Sequence, residues 1–398
     1  MKLRMQKNTL LSMMLLAAFG GGVVADAVAI ERPEDRNARR NQQKAGKEEV
    51  RFPEATREEP KAKASSKMQG RLNKLYKAYE KEDNDAEVLT LAKEILADTN
   101  ANEYDKGIAA QLAAQAAYNL DDLPGSAEYI KQLLALNSLS NNNHYQSMLM
   151  LAQIQLQQDQ FQEGIATLDR YFAETKSAKP EELIQKGQAL YMMEKYAEAI
   201  PVLKQAIDAS QEPKDNWYGL LLASYVEAGQ PAEAVKLAEQ QASKQPNDKK
   251  AQMNLVATYQ QADQFDKAAV VLEKLRAAGQ LTDEKEYRQL YITYANMDGK
   301  EKDVISVVNE GMQKGLLKPD HQTYLALAQA YYYSDQIPQA IEAWQKAAPL
   351  AKDGETYLNL ARVLWQEERI PEAKVAARAA LAKGLKKPDD AKKIIALP

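Results

Sequence analysis

One spacing recurs along this chain and constrains its fold more than any other feature. Ala199, Ala234, Ala268, Ala340 and Ala373 each stand three residues after Tyr196, Pro231, Phe265, Ile337 or Ile370, and their separations are 35, 34, 72 and 33 residues. The interval of 72 spans one degenerate unit, YRQLYITYANMDGKEKDVISVV, with Asp303 expected at the small-residue position. Ahead of each alanine lies an apolar helical stretch, such as the one carrying Leu183, Gly187 and Leu190, and then a turn near Met193–Glu194. Fainter copies precede these, marked by Phe161 with Gly164, by Tyr118 with Ala127, and by Tyr79. Self-similarity at this period predicts stacked helix pairs, about nine of them over residues 67–387. The small residue has a physical reason, since two helices approach closely only where no bulky side chain separates them. An irregular helical bundle would show helices without this fixed phase.

The pattern resembles that of the tetratricopeptide repeat (TPR) family, which pairs a small residue with Leu on its first helix and opens its second with an alanine. The resemblance implies an all-α, right-handed superhelical solenoid of about nine TPR-like helix pairs. It also implies that the first helices line a concave face on which a partner's extended segment or helix lies. Their outward positions give the candidate partner-binding residues Gln153, Gln188, Tyr191, Met253, Gln260, Gln329, Tyr332, Arg362 and Trp365. Glutamine and aromatic side chains suit hydrogen bonding to peptide backbone and packing on side chains. Tyr332 and Trp365 suit an inter-repeat core equally well. The Lys/Asn carboxylate clamp of some cytosolic TPR proteins is not reproduced here. Pro201 is expected at or just past the first turn of a second helix, where a missing N–H is tolerated.

The ends read differently. Lys2, Arg4 and Lys7, an apolar run from Leu10 to Val24, and small residues at Ala25, Ala27 and Ala29 have the form of a cleaved export signal over residues 1–29. Cleavage is expected after Ala27 or Ala29, and with no Cys after the run a lipoprotein is not available. The expected location is therefore a Gram-negative periplasm. Residues 30–66 carry Val50 and Phe52 as their only large apolar residues after Ile30, among mixed charges and prolines. That composition predicts a disordered, solvated linker, with Arg36–Arg40 or Val50–Phe52 as the alternative docking points. Residues 388–398 are expected to form a polar C-terminal cap.

Catalytic chemistry finds little support. The chain has no Cys, which removes disulfides, thiolates and Fe–S ligation. Its two His, His144 and His321, lie far apart in sequence at the polar starts of first helices, where solvated or capping roles are expected. No HExxH, GxSxG or phosphate-binding glycine loop occurs. Acidic pairs at Asp121–Asp122, Glu181–Glu182 and Glu367–Glu368 sit where helices start or turn. The net charge of −4 gives no basis for nucleic-acid binding. The expectation is a non-catalytic scaffold with no cofactor, metal or small-molecule substrate, whose partners are envelope proteins. The tail from Ala351 to Ala391 is further similar to periplasmic TPR proteins associated with TonB–ExbB–ExbD energy-coupling systems. That likeness implies an accessory of TonB-dependent outer-membrane transport in contact with the inner-membrane complex. A cell-wall (peptidoglycan) enzyme, its activating subunit, or an envelope assembly factor is the alternative reading.

Overall fold

A computed structural model describes residues 50–398. The expected export signal and the linker as far as residue 49 lie outside the described residues. Among the described residues there are nineteen α-helices and no strand. In chain order they are α1 Gln69–Tyr79, α2 Asp85–Ala97, α3 Glu103–Asn119, α4 Leu123–Leu136, α5 Asn141–Gln157, α6 Phe161–Thr175, α7 Pro180–Met192, α8 Tyr196–Ala209 and α9 Asp215–Glu227. They continue as α10 Pro231–Lys244, α11 Lys249–Gln261, α12 Phe265–Ala277, α13 Glu284–Ala295, α14 Glu301–Gln313, α15 His321–Tyr333, α16 Ile337–Leu350, α17 Glu355–Gln366, α18 Ile370–Lys383 and α19 Asp389–Ile395. The described residues form two compact units, one ending at Gln230 and the other Pro231–Pro398, so α9 closes the first and α10 opens the second. Within each unit every helix packs on the next, and first helices of successive pairs also touch, as α1 with α3 and α17 with α19. Each unit is thus the expected all-α stack of helix pairs.

The turns between paired helices share one device. Asp83, Asp121, Asp159, Glu194, Gly229, Asp263, Gly299, Asp335 and Glu368 occupy the left-handed region, with φ between 52° and 74°. In most of these turns the following residue donates its N–H to the carbonyl five positions back. Gln160 reaches Gln155, Lys195 reaches Leu190 and Gln336 reaches Tyr331, all at 2.8–2.9 Å. That bond closes the helix end with the left-handed residue outside it and reverses the chain within three residues. Within each unit, short turns make paired helices antiparallel neighbours. The acidic residues of these turns therefore set backbone direction, beyond the capping and solvation their positions suggested.

The second helices share a buried fourth residue: Val88, Ser126, Gly164, Ala199, Ala234, Ala268, Val304, Ala340 and Ala373. At Gly164 a Cβ would stand 2.5 Å from Leu156 Cδ2, so α5 and α6 meet there with no room to spare. Helix phase corrects the expected positions in two pairs, placing Val304 rather than Asp303, and Ser126 rather than Ala127. Ser126 is accommodated because its hydroxyl donates to the Ala114 carbonyl at 2.8 Å. Pro201 is the sixth residue of α8, just past the first turn as expected, but it lies beyond the four free N–H groups of the helix start. It removes a bond to the Ala197 carbonyl, and both residues are exposed, where water can serve that oxygen.

The core of the first unit begins with Leu72, Leu75, Val88, Ala92 and Ile95 against Ile108, Ala109, Ala113 and Leu133. The second unit buries Leu272, Leu290, Val307, Ala328, Ala347, Ala361 and Ala377. At its end α19 buries Ala391 and Ile394 and packs on α17 and α18.

The segment before α1 departs from expectation. Residues 50–66 do not behave as a solvated linker. Phe52 is only 8% exposed and sits with Tyr145, Met148 and Tyr171, on α5 and α6. Composition did not reveal this order because the stabilising groups belong to helices about 80–120 residues away in sequence.

Candidate functional site

Of the nine candidate residues, three lie in the first unit and six in the second. In the first unit Gln153 lies on α5, and Gln188 and Tyr191 lie on α7, all half-buried. The Tyr191 ring meets Tyr196 of α8 edge-on at 5.1 Å. Burial, then the nearby Glu227 carboxylate, raises the Tyr191 hydroxyl above its ordinary value, so it stays a neutral donor.

In the second unit several candidates join one first helix to the next. Gln260 of α11 donates to Thr293 Oγ1 at 2.7 Å and accepts from Gln289 Nε2 at 2.9 Å, both on α13. Tyr332 of α15 donates to Gln366 Oε1 of α17 at 3.0 Å. Its ring also meets Trp344 at 5.6 Å. Arg362 of α17 donates to Asp390 of α19 at 2.7 Å. Sequence reasoning missed the other members of this ladder: Arg288 of α13 pairs with Asp320 at 2.5 Å, and His321 meets Thr356 Oγ1 at 2.9 Å. Burial alone would lower the Arg288 guanidinium, but Glu284, Tyr291 and Asp320 overcome that and raise it. Met253 and Gln329 are half-buried on the same helices. Trp365 differs, with 44% exposure, and beside Tyr332 stands Tyr333 with 54%. The first-helix face of α15 and α17 therefore has a hydrogen-bonded base and two uncovered aromatic rings.

A second surface lies at the edge of the α5–α6 pair, where residues 51–59 are docked. Its anchors are side chains that sequence reasoning did not select. The Phe52 ring meets Tyr145 at 5.3 Å and Tyr171 at 6.0 Å, both edge-on, with Lys179 Nζ 5.6 Å from its centroid. The Arg57 guanidinium donates to Asn137 Oδ1 and Asn141 Oδ1 at 2.6 Å each, and to the carbonyls of Asn137 and Leu139 at 3.0 and 2.9 Å. Arg51 N–H donates to Asn142 Oδ1 at 3.0 Å, and Thr56 N–H to the Glu174 carbonyl at 2.8 Å. Asn141 Nδ2 returns a bond to the Arg57 carbonyl at 3.2 Å, and Asn141 N–H donates to Glu59 Oε2 at 2.8 Å. Closer to α1, the capping residues of α3 take over. Asn102 Nδ2 donates to the Lys63 carbonyl at 2.9 Å, and Asp105 Oδ1 accepts from Ser65 N–H at 3.1 Å. The run SNNNHY from Ser140 to Tyr145 was the available signal, being an asparagine cluster with no helical-periodicity reason to exist.

The electrostatics of this edge follow from burial. Desolvation, then Glu182, which accepts from the Tyr171 hydroxyl at 2.9 Å, pushes the Tyr171 phenol far up. Burial and Glu174 likewise raise Tyr145, and burial lowers Arg57. His144 corrects the expectation of a solvated or capping histidine. It is 1% exposed, and neither ring nitrogen has a hydrogen-bond partner among the described residues. Burial, reinforced by Arg57 and Arg170 and opposed by Glu174, takes its pKa down to about 4, so the ring is neutral at pH 7.

Family models for the tetratricopeptide repeat match residues 112–178 and 184–248, and a second such model matches 225–291. No curated protein matches the sequence. Among solved structures, a tetratricopeptide repeat protein from Parabacteroides merdae is 14% identical with a TM-score of 0.39, covering 66% of this chain and 98% of its own. A structure of MamA from MSR-1 is 23% identical with a TM-score of 0.36, covering 43% of this chain and 95% of its own. At those scores the likenesses carry no weight on function.

Proposed function

Since the chain is a tetratricopeptide repeat protein, and hence a protein-interaction scaffold, we propose that it is a non-catalytic scaffold of the periplasm. In this reading it recruits envelope proteins through the first-helix face of its second unit and serves as an accessory of TonB-dependent outer-membrane transport. The observation that carries the interaction face is the pair of uncovered rings, Tyr333 and Trp365, on helices tied together by Tyr332 and Gln366. Exposed aromatic rings on a rigid base are favourable anchors, because they bury large area on binding with few rotamers to freeze. Supporting the location are the basic start, apolar run and Ala-x-Ala positions of residues 1–29. The TonB link rests on the resemblance of the tail from Ala351 to Ala391.

A photo-crosslinking amino acid at position 365, in a Gram-negative cell expressing the full chain, tests the partner. The expected result is an adduct with a TonB-system subunit, weakened by Tyr333→Ala, together with impaired iron-complex uptake on deletion of the gene. Normal uptake and no such adduct reject the TonB role; an adduct with a different envelope protein keeps the scaffold and replaces the partner. Recovery of the protein outside the periplasmic fraction rejects the location.

A further inference from the structure

The docked arm caps the end of α4 through Arg57, the start of α5 through Glu59 and the end of α6 through Thr56, and it also has the features of a bound peptide. Residues 51–59 contain no regular element, and their neighbours in sequence give them no core to fold on. What orders them is a recognition surface of two kinds. Asn142, Asn141 and the Glu174 carbonyl engage the main chain at Arg51, Arg57 and Thr56, contacts that do not depend on the side chains at those positions. Two side-chain receptors then add selectivity. One is the aromatic slot of Tyr145, Tyr171 and Met148, which holds Phe52. The other is the fork of oxygens from Asn137, Asn141 and Leu139, which holds the Arg57 guanidinium. An open cleft of about 380 Å³ lies between arm residues 51–54 and residues 175–180 of the α6–α7 turn.

We propose that this edge is a peptide-binding site filled in cis by residues 51–59, and that its partner is a protein segment carrying an aromatic residue and, five positions later, an arginine, with a turn between them like that from Phe52 to Ala55. The surface is distinct from the first-helix face of α15 and α17, and the proposal stands whether or not that face binds an envelope protein. The arm acts as a self-ligand. Its tether to α1 is a few residues long, so its effective concentration at the slot is on the order of mM. A partner must therefore outcompete it, and binding is gated by arm release.

The test uses the full chain and a fluorescent peptide of residues 49–60. Wild type is compared with the double variant Phe52→Ala/Arg57→Gln, whose arm has lost both anchors. Anisotropy titration should show the peptide binding the double variant about tenfold or more tightly than wild type, as removal of a tethered competitor requires. Adding Asn141→Ala and Asn142→Ala should abolish that gain. Equal binding to both proteins, or no binding to the double variant, overturns the proposal. Hydrogen exchange must show protection lost at residues 51–59 and kept in α5 and α6. Should the double variant lose both, Arg57→Gln alone, which removes no apolar contact, is the second variant, with a gain of about threefold expected and no gain overturning the proposal. A wild-type dimer that dissociates on Phe52→Ala would show the arm exchanged between copies and would overturn the cis assignment.

Discussion

Two helix starts with the same local chemistry serve different ends. At α3 the capping box Asn102/Asp105 satisfies the helix N-terminus and then reaches the arm at Lys63 and Ser65. At α13 the capping box Asp283/Glu286 does the same local work, but Glu286 reaches back to Lys249 at the start of α11. The contrast extends through both regions. Along α3, α5 and α6, polar side chains hold an irregular segment and the aromatic rings are covered. Along α13, α15 and α17, polar side chains hold the next first helix, and Tyr333 and Trp365 remain uncovered. A repeat supplies the same positions many times over; what each position binds depends on whether another part of the chain comes within reach. In the first region Phe52 of the arm packs on Tyr145 and Tyr171; in the second, Tyr333 and Trp365 stay exposed.

The largest expected effect separates the two kinds of ring. Tyr145→Ala, at a fully buried ring, should cost about 3–5 kcal/mol in chemical denaturation, whereas Trp365→Ala should stay within about 0.5 kcal/mol. A large loss from Trp365→Ala would mean that this ring is core and erase the contrast. Next comes Arg57→Gln, which gives up charge-assisted bonds and should cost about 2 kcal/mol, with faster hydrogen exchange at residues 51–59. Unchanged exchange there would show that Phe52 alone holds the arm. The turns are the part both regions share. Asp159→Val and Asp335→Val should each cost about 1–2 kcal/mol, with the glycine variants near neutral, because a β-branched residue is strained at positive φ. Unequal losses would show that the two turns are not equivalent.

The smallest effect is a difference in acid sensitivity. His144 has its folded pKa lowered from 6.5 to about 4. Unfolded chain therefore takes up the proton first, and stability contributed around α5 falls as pH drops from 6.5 toward 4. Glu310 in the second unit is opposed by burial but held down by Arg276, Lys314 and Tyr287, from 4.5 to about 2. Its contribution is full above 4.5 and is lost as pH falls toward 2. Hydrogen exchange at pH 5 should thus show α5 loosened and α14 intact, and His144→Phe should remove the difference. Equal loosening of both at pH 5 would contradict the assignment.

Several features were legible without coordinates, and each depends on residues close together in sequence. The spacing of Ala199, Ala234, Ala268, Ala340 and Ala373 determined that helices pair, because small residues at a fixed phase mean close approach wherever they occur. The turn near Met193–Glu194 was legible, and Glu367–Glu368 was read as lying where helices start or turn, but the left-handed backbone at Glu194 and Glu368 was not legible. Outward positions such as Gln260 and Tyr332 were chosen from helical periodicity, which locates a face but not what covers it.

What the tertiary structure decided involves partners far along the chain. Val304 rather than Asp303 fills the close-approach position of its pair because the true start of α14 sets the phase, and that degenerate stretch left its start open. The 50–66 segment is ordered by contacts that its local sequence does not show. Phe52 and Arg57 find Tyr171 and Asn137 across about 80–120 residues of intervening chain. Such docking is stabilised by surface that exists only after the helices have stacked. The sequence alone determined the scaffold, through short-range spacing; which of its surfaces are closed by the chain itself and which stay open was decided only when distant segments met.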